Sequence, residues 1–122
     1  MAPSPSSEEV NQLLRMSIRQ RQPITAMYNG RRRQLCPHRL GWNKDEERRV
    51  LCYQYGGDSV SGLGQPGARS NWRCLAIEKL SQVALIAGSW RTAPNHSRPQ
   101  TCIVRVEMDV EDQPGDEPQN GQ

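Results

Sequence analysis

The sequence predicts a small all-β domain, a strongly curved sheet of five or six short strands forming a partly open barrel, with one N-terminal α-helix. Three observations lead there. Helical spacing of apolar residues occurs only before Pro23, a period of two replaces it afterwards, and the later strand-like segments are separated by short clusters of turn formers. The chain has 122 residues, 34% of them hydrophobic, with three Trp, three Tyr and no Phe. It can therefore build one modest core from Leu, Ile, Val, Ala, Cys and Met. The expected organisation is a flexible lead-in over residues 1–6, a single domain over 7–110 and a disordered acidic tail over 111–122.

Ser6 followed by Glu9 is a capping-box signature, and Val10, Leu13, Leu14 and Ile18 share one helical face. A helix is predicted from Ser7 to Gln20, stopped by Pro23. No second helix follows, so the spacing excludes a helix-turn-helix. In ITAMYN, Ile24, Ala26 and Tyr28 alternate with Thr25 and Met27, and Asn29-Gly30 supplies the two positive-φ positions of a type I′ turn. The return strand runs from Arg31 to Leu40, with Arg31 and Arg33 on one face and Arg32 on the other. Further strands are predicted at Arg48–Tyr55 after the charged turn NKDEE, at Asn71–Ile77, at QVALIAG and at Thr101–Val110. In the last of these Cys102, Val104, Val106 and Met108 alternate with Ile103, Arg105, Glu107 and Asp109. Gly56–Ser70 and Ser89–Gln100 read as long loops, the first predicted to be mobile.

A formal charge of +3 conceals segregation. All 16 Lys and Arg lie between Arg15 and Arg105 with only five acids among them, a net of +11, while the flanking eight acids give −8. Such a body either attracts polyanions or is simply a solvated surface. Fourteen of the 16 cations are Arg, which suits bidentate recognition of phosphate or carboxylate.

No apolar run reaches the roughly 18 residues of a membrane span, and MAPSPSSEEV lacks the features of a secretory leader. The expectation is a cytoplasmic protein without membrane contact. Cys36, Cys52, Cys74 and Cys102 have no C-x-x-C spacing and there are only two histidines, which argues against a zinc site. Each cysteine falls in a predicted strand, where reduced Cys acts as a small buried apolar residue, and neither metal nor cofactor is expected. Catalysis is not expected either: Ser59, Ser61 and Ser70 lack an elbow sequence, and no carboxylate pair shares a predicted face. The glycines of Gly56–Ser70 match no phosphate-loop spacing.

From Leu13 to Trp90 the order of residues resembles the WYL domain, a small SH3-like or Sm-like barrel module of bacterial regulators. An amphipathic LLRMSI precedes ITAMY, and Tyr28, Gly30, Arg33 and Pro37 follow that family's order of aromatic, glycine, arginine and proline. A second block, RCLAIEKL from Arg73 to Leu80, is similar to its later signature, with Leu75, Ile77, Glu78 and Lys79 replacing the usual Phe, Leu, Asp and Arg. The Trp-Tyr-Leu tripeptide is absent, its strand represented by Val50–Tyr53, so the resemblance is to a divergent, stand-alone member. It implies a basic surface for nucleic-acid fragments or nucleotide-like anions at Tyr28, Arg33, His38 and Arg73. Tyr53, Gln54 and Trp72 are adjoining candidates, because guanidinium forks bind phosphate oxygens and aromatic faces stack bases. For Tyr28 and Trp72 the competing role is core packing, for His38 a structural hydrogen bond, and for the arginines the blunting of a sheet edge. The partners implied are a single-stranded oligonucleotide or nucleotide-like anion, a regulatory protein, or a second copy in a homodimer.

Overall fold

The computed structural model describes residues 7–57, 71–91 and 102–112. The lead-in with Ser6, most of the Gly56–Ser70 and Ser89–Gln100 loops, and residues 113–122 lie outside the described residues.

Helix α1, Ser7–Gln20, has the predicted bounds. Val10, Leu14 and Ile18 are buried, with Leu13 packed beside them. Arg21 takes a left-handed φ of 50°, and the amides of Arg21 and Gln22 return to the carbonyls of Ile18 and Ser17 at 3.4 and 3.0 Å. These are the paired bonds of a Schellman ending, with arginine where glycine is usual. Pro23 then forbids further helix.

Six strands follow: β1 Ile24–Tyr28, β2 Arg31–Trp42, β3 Arg48–Gly57, β4 Trp72–Ala76, β5 Ser81–Leu85 and β6 Arg105–Asp109. All pairings are antiparallel, in the order β4-β3-β2-β1-β5, with β6 joining β2 at Arg39–Trp42, past the end of β1. Asn29 and Gly30 have φ of 53° and 74°, as a type I′ turn requires. In the β2–β3 turn Asn43 Oδ1 accepts from the amides of Asp45 and Glu47, each at 2.9 Å.

The edge strands β4 and β5 are four inter-strand spacings apart, about 19 Å in a flat sheet. They are joined only by Ile77–Leu80, mostly a 3-10 turn rising about 2 Å per residue. The sheet must curl. The Ala76 amide on β4 accordingly donates to the Tyr28 hydroxyl on β1 at 3.0 Å, across the concave side. No hydrogen-bonded ladder joins β4 to β5 among the described residues, so the sheet stays open there.

The concave side and α1 enclose the core: Ile24, Ala26, Leu35, Leu40, Val50, Cys52, Leu75 and Val83 against Val10, Leu14 and Ile18. Leu35 and Leu40 are five residues apart and both fully buried, which strict alternation forbids. A bulge between Pro37 and Arg39 leaves His38 as the extra residue and restores Leu40 to the core side.

Three expectations are corrected. Cys74 and Cys102 form a disulfide, with Cα atoms 6.4 Å apart; Cys36 and Cys52 are free and buried. The last strand begins at Arg105, not Thr101, and does not alternate simply: Val104 and Val106 are 60% and 47% exposed and Arg105 is exposed too, whereas Glu107 and Asp109 turn inward and Met108 packs against the core. Arginines explain the buried acids. Arg15 and Arg48 hold Glu107, and Arg39 Nε meets Asp109 Oδ2 at 2.6 Å. Finally, Glu111 and Asp112 belong to a 3-10 turn, Val110–Asp112, its start tied by the Glu111 amide donating to Asp109 Oδ1 at 2.8 Å.

Among the described residues no helix is long and apolar enough to cross a membrane.

Candidate anion site

Beyond the reach of α1 the concave face ends in polar residues. Register places Ala26 opposite Arg33, Leu35 opposite Gln54 and Cys52 opposite Arg73, which aligns Tyr28, Arg33, Gln54 and Arg73 on one side of the sheet. Of the three arginines after the turn, Arg31 and Arg32 are exposed and Arg33 is not. Arg32 lies on the other face, reaching Thr25 Oγ1 at 3.4 Å and Gln82 Oε1 at 3.3 Å.

Arg33 is only 4% exposed. Its guanidinium lies 5.2 Å over the Tyr28 ring centroid, and its Nη1 donates to Gln54 Oε1 at 3.3 Å. Gln54 is fully buried, and its Nε2 donates to the Gly56 carbonyl at 3.0 Å, which orients the amide oxygen towards Arg33. The Arg33 Nε is buried without a hydrogen-bond partner. No carboxylate among the described residues forms an ion pair with Arg33. An amide oxygen and a ring face therefore compensate its charge, each weaker than an ion pair.

Arg73 is half-buried, and its Nη1 donates to the Trp72 carbonyl at 3.1 Å. Burial, followed by the nearby Arg33 charge, lowers its pKa. The two guanidinium groups thus sit within electrostatic reach of each other.

The other three candidates lie on the convex face. His38 is 1% exposed, with Nδ1 donating to the Cys36 carbonyl at 2.7 Å and its ring 4.8 Å from both Trp72 and Trp90. Tyr53 meets Trp72 edge-on at 5.4 Å, and Asn71 Nδ2 donates to its hydroxyl at 3.3 Å. This is a second small core around Cys36, in which the structural roles weighed for His38 and Trp72 are the ones realised. The structure brings together Tyr28, Arg33, Gln54 and Arg73 and separates them from His38, Tyr53 and Trp72. The opposite parities of Tyr53 and Gln54, and of Trp72 and Arg73, already carried that division.

Burial pushes the Cys36 thiol up to about 11 and Cys52 well above its ordinary value, so neither is a ready thiolate nucleophile. No group of His, Cys, Asp and Glu among the described residues could hold a metal ion. Comparison with known proteins returns no matching family model, no matching curated protein and no matching solved structure.

Proposed function

We propose that this chain is a non-catalytic regulatory or sensing module that binds nucleic acid or a nucleotide-like anion through Arg33 and Arg73, with Tyr28 and Gln54 holding Arg33 in place. The observation that carries the reading is a buried arginine, beside a second arginine, whose Nε has no partner. Burying a cation without an acid is unfavourable, and proteins retain such groups mainly where a ligand completes them. The proposed architecture is an SH3-like or Sm-like partly open barrel, and the proposed kinship is with WYL domains. Both are supported by β5 returning beside β1 after a 3-10 turn and by the Tyr28-Gly30-Arg33-Pro37 order. Action in the cytoplasm belongs to the same proposal, although the Cys74–Cys102 bond would there meet reducing conditions.

The test is titration of a short single-stranded oligonucleotide at several salt concentrations. A log–log slope of roughly −1.4 is expected if Arg33 and Arg73 neutralise about two phosphates, at about 0.7 for each. Arg33→Ala and Arg73→Ala should each weaken binding without unfolding the domain. No binding at low salt would sink the reading. Exposure of Val104 and Val106 favours a second one, an interaction module for a protein partner or a second copy, whose sign would be concentration-dependent sedimentation abolished by Val106→Lys.

A further inference from the structure

Resting on the interaction-module reading, we propose that β6 is a docking edge, and that its partner is an extended segment of another protein in which an acidic residue stands between two apolar ones.

Val104 and Val106 are the exposed large hydrophobic residues among the described ones, and they lie two positions apart at the start of β6. Their exposure does not come from a slack chain. Cys102 is bonded to Cys74 just before them, the Val104 amide donates to the Trp42 carbonyl at 2.8 Å, and Arg15 and Arg48 hold Glu107 just after. The triplet Val104-Arg105-Val106 is therefore presented by a backbone fixed at both ends, which lowers the ordering cost of meeting a partner. Among the described residues β6 pairs with β2 alone, which makes it an edge to which a strand can be added.

Charge sets the chemistry of the partner. Arg105 lies opposite Trp42, with its guanidinium 4.0 Å from the ring centroid, and it forms no ion pair with a described residue. Val106 lies opposite Gly41, on the other face of the strand. A strand laid alongside meets both faces, setting apolar residues against the valines and an acid against Arg105. A second copy of this chain fits less well. Laid two-fold along β6, it would set Arg105 against Ile103, its own counterpart, Glu107 or Asp109, depending on register. Those are an apolar residue, a like charge, or acids that arginines already hold.

The experiment uses three short fluorescently labelled peptides with the full chain, read by anisotropy: alternating valine and glutamate, alternating valine and lysine, and alternating serine and glutamate. The first should bind at least about tenfold tighter than either of the others. The serine peptide has the same charge and reports attraction to the basic body alone. Arg105→Glu should reverse the order of the two valine peptides, and Val104→Ser with Val106→Ser should erase the advantage over the serine peptide, with the melting temperature unchanged in both variants. Equal binding of the two glutamate peptides, indifference of the first to Arg105→Glu, or no binding of any peptide would overturn this inference. If the chain then sediments as a dimer that Val106→Lys abolishes, the interaction-module reading stands with a second copy as the partner. Failure of the peptides together with no self-association would overturn both.

Discussion

Two groups of arginines occupy opposite ends of the curled sheet and are treated differently. At the β6 end, Arg15 and Arg48 clasp Glu107, Arg39 pairs with Asp109, Arg48 Nη2 also donates to Asn11 Oδ1 at 2.7 Å, and Arg48 and Arg105 flank the Trp42 ring at 4.7 and 4.0 Å. At the β4 end, Arg33 and Arg73 share one wall, and Arg33 has a glutamine amide and a phenol ring as its partners. Arg48, like Arg33, has a buried Nε without a partner, but its Nη2 rests on a carboxylate. The first group holds the fold together, whereas Arg33 in the second meets no carboxylate among the described residues. Arginine content alone therefore says little about binding; what matters is which guanidinium groups the fold has already neutralised.

The most severe way to break the contrast is to free the β6 end. The Cys74–Cys102 bond closes a loop of sequence separation 28, and removing it with Cys74→Ser and Cys102→Ser should lower unfolding free energy by about 3–4 kcal/mol on the loop-entropy model. Denaturant titration checks this, and a loss below about 1 kcal/mol would mean that the ion pairs suffice to anchor β6.

Gly41→Ala should come next. A Cβ there would overlap the Arg105 carbonyl oxygen and lie 2.9 Å from Ile103 Cγ2, so β6 must shift, at about 1–3 kcal/mol. Hydrogen exchange should show the loosening in β6 and not in the β1–β2 hairpin.

Glu107→Gln should be milder, roughly 1–2 kcal/mol, because the carboxylate is 15% exposed and partly screened. Burial alone would raise the Glu107 pKa, but the hydrogen bonds and charges of Arg15 and Arg48 outweigh it and hold it below normal. Its stabilisation is therefore complete above the unfolded value of about 4.3 and is lost as pH falls through the lower folded one. In Glu107→Gln the melting temperature should vary less over that acid range.

Arg33→Met should have the smallest effect on stability, within about ±1 kcal/mol, since a poorly compensated buried cation gives way to an apolar side chain. It should nevertheless abolish oligonucleotide binding. Severe unfolding would place Arg33 in the same class as Arg48.

The elements with local signals were legible in the sequence. Helix α1 follows from Val10, Leu14 and Ile18 and the Pro23 stop, and the first hairpin from Asn29-Gly30. The fate of Arg33 was half legible: its parity with Leu35 placed it on the concave side, but its burial depends on Gln54, 21 residues away. The inward place of Glu107 and Asp109 was not legible, because their partners, Arg15, Arg48 and Arg39, lie at least 59 residues earlier. The His38 bulge left one trace, the five-residue spacing of Leu35 and Leu40. Nothing near Cys74 or Cys102 announces their bond, which joins residues 28 apart in the sequence.

That bond also governs what becomes of a cut chain. Cleavage once anywhere between residues 75 and 101 yields two pieces that remain covalently joined through Cys74 and Cys102. On a denaturing gel such a nicked molecule would migrate as one species until a thiol reagent is added, and β6 would stay tethered to β4 despite the broken backbone.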